Sequence, residues 1–383
     1  MSPEAKILFK EMKQEIGCFA ESVHLRVRPD AKDTAIKIVA AAMSAAAQNK
    51  SLEELAKPVF EMSADTMFYH LESKLDLGVI EAAMEHNVRR GIQIGLRVSK
   101  HRHFSLAIDF HDEYTHTEHR HNSYVVGTKP GRGTSYAFKY MTVALTTKGF
   151  RYMLFAYPVE KFVGEMDGKI HHTNIIMLLN RALDFVKRIG VSYNLLCMDK
   201  EFHSTDVAAL LYERDIRFII PAKKDEKFHE QVAKCPSIPA IVEGWKMTNC
   251  MGEQVQTTLT ILRELDSEGE PQIYGYITSL QKEEFTSDPN VLSRMYSHRW
   301  GIETNHRMLE DFEVATRTPE GIVRYFFFVV SMVLFNIWVW TNAQLQKGPF
   351  KPVDFKIKVK ASTVNFIFVL LMLEWMSGVP LGE

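Results

Sequence analysis

The sequence predicts an α/β protein: a mixed sheet flanked by helices, preceded by an all-α N-terminal region and interrupted by a β-rich insertion. Three observations lead there. Strand-length apolar runs alternate with amphipathic helical stretches from residue 104 to residue 220. Alternating strand patterns separated by polar turns follow between residues 240 and 278. Residues 1–100, by contrast, carry helical signals.

Taken in order, residues 34–48 are Ala-rich and helical. Ser51-Leu52-Glu53-Glu54 is a capping box that opens a short helix at 52–60. Residues 62–65 form a turn and 66–74 a second helix. Helix, short turn, helix is the spacing of a DNA-reading helix-turn-helix, and equally of a small helical bundle. Residues 104–110 form an apolar strand interrupted by Asp109. The Gly-containing stretch 127–133 reads as a polar loop and lacks the spacing of a phosphate cradle. Residues 137–146 and 150–157 then pair as a hairpin across Thr147-Lys148-Gly149. A helix with one apolar side covers 172–189, and a buried strand at 193–198 ends on Asp199. Ser204 caps a helix reaching residue 214, and 217–220 is another strand. The insertion contributes strands at 240–247, 255–265 and 272–278, after which 290–310 is helical again. The expected units are therefore a helical N-terminal domain (1–100), a core in two parts (101–221 and 288–345), a β-rich insertion (222–287) and a C-terminal helical segment (346–383).

Composition excludes several classes. The chain has 383 residues, 46% hydrophobic and 24% charged, the balance of an ordinary soluble globular protein of two or three domains. Four scattered cysteines, with no CxxC pair, read as incidental thiols of a reducing compartment. The charged N-terminus lacks the apolar run of a signal peptide. Two apolar stretches, 325–340 and 366–376, fall short of the roughly 20 residues a membrane span needs. They carry Ser331, Asn336 and Glu374, and read as buried core helices, so no membrane is expected. A net charge of -1 gives no support to nucleic-acid binding by itself. The distribution is more informative: 119–159 contains no acid, yet holds Arg120, Lys129, Arg132, Lys139, Lys148 and Arg151. A phosphate-facing surface has this character, as does a merely basic strand and loop.

Three acids carry the chemistry. Asp109 interrupts one apolar strand and Asp199 follows the end of another. Strands disfavour Asp, and burying a lone carboxylate is costly unless it is paired or holds a metal. Neighbouring strands would set both carboxylates side by side, and a divalent cation with a taste for hard oxygen, Mg²⁺ or Mn²⁺, relieves their repulsion. Over 290–310, Tyr296, Arg299, Glu303, Arg307 and Glu310 recur at spacings of three and four, which places them on one helical face. Glu303 can complete the metal site, while Tyr296, Arg299 and Arg307 can hold a phosphate backbone beside it.

Asp109, the segment Asp199-Lys200-Glu201-Phe202 and Tyr296-x-x-Arg299-x-x-x-Glu303 resemble the DDE transposases of prokaryotic insertion sequences, in particular the group with the signature Y-x2-R-x3-E-x6-K. The resemblance covers about residues 100–345. It implies an RNase H-like core with Asp109, Asp199 and Glu303 as catalytic metal ligands, and two Mg²⁺ (or Mn²⁺) ions per site. It also implies metal-dependent cleavage at the ends of a mobile element and strand transfer into target DNA. The partners would be double-stranded DNA, namely terminal inverted repeats and target, and a second copy of the chain; the location would be the prokaryotic cytoplasm, at the nucleoid. Tyr296, Arg299, Arg307, Lys129, Arg132, Lys139 and Lys148 are the expected DNA contacts. Trp300 would stack on a displaced base, or else pack helix against sheet. The signature Lys falls at Glu310, and Arg307, one turn earlier, is the residue to supply the missing charge.

Three other readings stand beside this one. His111, His116, His119 and His121 form a His-rich stretch of the kind that binds zinc, without a recognised ligand spacing. A degenerate or domesticated transposase would bind DNA and no longer cut it, as a stand-alone nuclease would cut without joining.

Overall fold

One mixed sheet of nine strands runs through the chain, and its register decides which side chains meet. The computed structural model describes residues 2–23, 25, 32–93, 104–117, 122–147, 149–163, 170–172, 174–265, 268–285, 288, 290–346 and 355–377. The elements are α1 (Pro3–Ser22), α2 (Lys32–Gln48), α3 (Leu52–Phe60), α4 (Ala64–Lys74), α5 (Leu77–Gly91), β1 (Ser105–Tyr114), β2 (Val125–Gly131), β3 (Thr134–Thr147) and β4 (Phe150–Pro158). There follow β5 (Lys161–Val163), β6 (Ile170–His172), α6 (Ile175–Ile189), β7 (Leu195–Met198), α7 (Thr205–Glu213), β8 (Phe218–Pro221), α8 (Glu226–Lys234), β9 (Ala240–Thr248), β10 (Gln254–Leu265) and β11 (Pro271–Thr278). The last helices are α9 (Asn290–Tyr296), α10 (Trp300–Leu309), α11 (Gly321–Gln344) and α12 (Ser362–Ser377).

The strand order is β2-β3-β1-β7-β8-β11-β10-β9, with β4 also paired to β3. The pairs β1–β7 and β7–β8 are parallel. The remaining pairs of this sheet are antiparallel. β3 is long enough to pair β1 along one edge and to share the other between β2 and β4. Its second half and nearly all of β4 are buried, so both faces of the sheet are covered there. The strands expected as an insertion, β9, β10 and β11, continue this sheet through the β8–β11 pair, and a helix the sequence did not announce, α8, precedes them. The stretch expected as a loop at 127–133 is mostly strand β2. It closes onto β3 through Arg132 and Gly133, with φ of 48° and 78°, the signs a tight two-residue hairpin turn requires.

The capping box forms as expected: the Ser51 N–H donates to Glu54 Oε2 at 2.9 Å, and α3 begins at Leu52. α4 follows it after a short turn, buries Met67 and Leu71, and exposes Asp65, Tyr69, Glu72 and Lys74. α1, α2 and α5 share one core with α11, shown by the Phe19–Phe326 ring contact at 6.2 Å. α11 is long and apolar enough to cross a membrane by length and composition, and 94% of its apolar window is buried inside the protein. α12 is only half sunk: Val364, Ile367, Phe368 and Leu371 are buried, whereas Phe366 and Val369 are exposed. The expectation of a fully buried helix at 366–376 therefore fails on one side, because α12 packs on α1, α2 and α3 from one direction.

Asn336, fully buried on α11, stands in for a strand beside the β4 bulge. Its Oδ1 accepts from the Met153 N–H at 3.1 Å, and its Nδ2 donates to the Met153 carbonyl at 2.9 Å and to Asn87 Oδ1 at 3.3 Å. Removing it orphans buried main-chain groups, each costing about 1–3 kcal/mol. Asn336→Leu is expected to destabilise the protein by about 3 kcal/mol in denaturant unfolding. A loss below about 1 kcal/mol would show that Asn336 is no such bridge.

Candidate active site

Register builds the site. Ile108 on β1 lies opposite Met198 on β7, so the next residues along these parallel strands are Asp109 and Asp199. Aligned positions on adjacent strands share a face, at a spacing of about 4.8 Å. The same face carries Leu195 and Cys197, which belong to an apolar cluster with Tyr276, Leu292 and Tyr296. Beyond Met198 the chain tightens into a 3-10 turn at Lys200–Phe202. Phe202 is buried there and stacks on Phe110 at 5.2 Å. These aromatics anchor the backbone just after each of the two carboxylates.

The helix expected over 290–310 is broken. α9 ends at Tyr296, a 3-10 turn covers Ser297–Arg299, and α10 begins at Trp300. Gly301 lets α10 lie close on the sheet, since a Cβ there would come within 3.0 Å of Thr146 Cγ2. Arg299 is buried and bridges two acids: Nη1 donates to Asp109 Oδ2 at 2.7 Å and Nη2 to Glu303 Oε1 at 2.6 Å. Its guanidinium also lies over the Tyr296 ring, 5.3 Å from the centroid.

Burial pushes the Asp109 carboxyl up to about 7; Arg299 pulls the other way, and the nearby charges of Asp199 and Glu303 add to the rise. Among the described residues no three acid, His or Cys side chains stand close enough together to hold a metal. The reason is visible: Glu303 is turned to Arg299, whose guanidinium occupies the space between the acids. The donors nevertheless fit a hard divalent cation in chemistry, being all carboxylate, with Asp109 buried and within the field of Asp199 and Glu303. A carboxyl protonated below pH 7 must lose its proton to bind a cation. Affinity for Mn²⁺ is therefore expected to rise with pH up to about 7 and to level off above it, with proton release on binding. Calorimetry in two buffers of different ionisation enthalpy measures this; an affinity flat from about pH 5.5 to 8 would sink it.

Sequence reasoning missed two residues that lock the helix to the sheet. Thr142 pairs with Asp109 across β1–β3 and donates its hydroxyl to the Asp109 carbonyl at 3.1 Å. The Thr142 hydroxyl oxygen also lies 2.9 Å from His306 Nε2, on the helix that carries Glu303. His111 packs on His306 at 4.7 Å, and burial pushes its pKa down to about 4, which leaves it neutral. The spacing of His111 two residues after Asp109, and of His306 three after Glu303, was the available signal. It also redirects the zinc reading: His111 is committed to this packing, His116 lies beside a separate groove, and His119 and His121 fall outside the described residues.

The expected DNA contacts divide. Trp300 is 64% exposed, so it does not pack helix against sheet. Arg307 and Lys129 are exposed, and Arg307 makes no ion pair among the described residues. Tyr296, by contrast, is buried against Tyr276 and cannot reach a phosphate. Lys139 is half-buried, paired with Asp112 at 3.5 Å and set over Phe110. Arg132 pairs with Glu310 at 3.2 Å, which brings a cation to the place where the signature has Lys. Lys148 lies outside the described residues. A groove of about 1090 Å³ lies away from the acids, at Ser51, Thr115, Glu313 and Arg317.

A family profile described as a transposase DDE domain matches residues 91–335. The fold is similar to that of a chain in the cryo-EM structure of the piggyBac transposase synaptic complex with hairpin DNA, with a TM-score of 0.55 at 12% identity. That likeness covers 98% of this chain and 80% of the other, and at such low identity it speaks for the fold. No curated protein matches the sequence.

Proposed function

The chain belongs to the DDE transposase family, and from that premise we propose that it cuts DNA at the ends of a mobile element and joins the freed strands to target DNA. One observation carries this reading: Asp109 and Asp199 are aligned on neighbouring parallel strands beneath a helix that brings in Glu303 through Arg299. The proposed roles are cation binding for the three acids and positioning of α10 against β1 for Thr142 and His306. Divalent cations, two Mg²⁺ or Mn²⁺ in the proposal, would supply an activated water or DNA 3′-OH and stabilise the leaving oxygen. Arg299 offers a planar fork matched to phosphate oxygens, and Trp300 and Arg307 present exposed side chains along the same helix.

The inner strand order β4-β3-β1-β7-β8, antiparallel then parallel, supports an RNase H-like core. The Tyr296–Arg299–Glu303 spacing supports placing the chain in the insertion-sequence group with the Y-x2-R-x3-E-x6-K signature, with Arg132 beside Glu310 in place of the signature Lys. The helical N-terminal residues are proposed to recognise DNA ends, and residues 222–287 to act as the insertion. The piggyBac neighbour is a synaptic complex holding hairpin DNA; for this chain we carry over DNA as partner and propose a homodimer on two ends, at the nucleoid.

The test incubates the purified protein with DNA bearing the gene's own flanking ends and Mg²⁺ or Mn²⁺, and scores cleaved and joined products. Cleavage with joining supports the proposal, and cleavage without joining makes it a nuclease. Binding without cutting moves the DNA-binding-only reading forward, a reading that the Arg299 bridge across the acids favours.

A further inference from the structure

A second charged surface lies beside the acids. The carboxyl ends of β7 and β8, the start of α7, the start of α8 and the β9–β10 hairpin enclose a cavity of about 320 Å³. Lys223, Lys227 and Lys246 line it, all exposed and none in an ion pair among the described residues. The two acids in the lining are already engaged. Asp225 Oδ1 accepts from the Phe228 N–H at 2.9 Å as the cap of α8, and Asp206 Oδ1 accepts from Asn249 Nδ2 at 2.8 Å. His203 adds no opposing charge. Its pKa is pushed down to about 4, by burial first and by Lys223 second, and its Nε2 is buried without a hydrogen bond among the described residues.

Position ties the cavity to the active site. Cys197 lies opposite Ile219, so Asp199 falls level with Pro221, the last residue of β8, and Lys223 stands two residues past that end. Carried past the two strand ends, strand spacing and rise put the backbones roughly 8 Å apart. At about 3.4 Å of rise per nucleotide on one strand, that is a reach of two or three nucleotides.

We infer that this lysine-lined cavity is a docking surface for the DNA backbone, holding phosphates two or three nucleotides from the bond placed at Asp109 and Asp199. The inference rests on the proposed function. It requires net positive charge, a location beside the carboxylates, and open access; three lysines outnumber Asp206 and Asp225, whose carboxylates are each turned to a neutral hydrogen-bond donor. An unpaired cation next to a phosphate releases a counterion from DNA, so each lysine engaged contributes about 0.9 to the salt slope of duplex binding, or about 0.7 for a single strand.

The experiment measures DNA binding against salt for wild type, for Lys223→Gln/Lys227→Gln/Lys246→Gln and for the matching triple Lys→Arg variant, on DNA bearing the element's ends. Thermal melts accompany each to verify folding, which these exposed positions should leave intact. The expected result is a slope of log affinity against log salt reduced by about 2–3 in the Gln variant and restored in the Arg variant. A Gln variant that keeps the wild-type slope overturns the docking surface and leaves the transposase reading standing. A wild type that binds no DNA brings down both.

Discussion

Asp109→Asn is expected to reduce metal-dependent cleavage and joining by about a thousandfold or more while DNA affinity stays within about twofold of wild type. The amide keeps the shape of the carboxylate and loses its charge, so the cation loses a ligand while the exposed surfaces of α10 and the lysine cavity are untouched. Stability should respond with an unusual sign. The Asp109 carboxyl titrates near 7 in the folded chain, well above its unfolded value, because it is buried beside Asp199. Between those two values the folded state holds the extra proton, so its contribution to stability is present at low pH and lost as pH rises through about 7. The Asn variant lacks that loss. In metal-free buffer its melting temperature should gain on wild type between about pH 5 and pH 8, and chelation should leave wild type as inactive as the variant. Retained cleavage in Asp109→Asn would remove this residue from the chemistry.

How much of this was legible in the residues depends on range. Asp109 and Asp199 stood out because acids interrupt or end apolar strands, a conflict visible within a few residues. The start of α3 was legible because a capping box is local, and the box closes as written. β2 was not, because Gly127, Pro130 and Gly131 look like a loop; Pro is tolerated on an outer strand, and the pairing with β3 completes it. The break at Ser297–Arg299 was invisible for a related reason. Over one turn, windings of 3.0 and 3.6 residues give the same pattern, and what turns Tyr296 inward is Tyr276, from a distant strand. Lys139 looked free until register set it directly opposite Asp112. Thr142 and His306 matter only because β3 and α10 cross at Asp109, a fact of topology that spacing does not encode.

At about pH 8, Arg299→Ala is expected to destabilise the metal-free protein by about 3–5 kcal/mol, the cost of leaving buried charge without its partner, and by less below about pH 7, where Asp109 holds a proton. Arg299 is the counter-ion of this site. Its two nitrogens reach Asp109 and Glu303, and its side chain is 8% exposed, whereas that of Glu303 is 49% exposed. The cost therefore falls mainly on Asp109, which Asp199 also crowds. A divalent cation offers the same compensation that the guanidinium gives. Mn²⁺ should then raise the melting temperature of Arg299→Ala by several degrees more than that of wild type, since in the variant the cation has no resident guanidinium to displace. Catalysis should fall as well, because the fork that would orient a phosphate oxygen is gone. Arg299→Lys separates these effects: a single ammonium can compensate one carboxylate but not bridge two, so stability should recover in part while activity stays low. If Arg299→Ala melts with wild type in metal-free buffer, the bridge contributes nothing, and another group must neutralise the acids before a cation arrives.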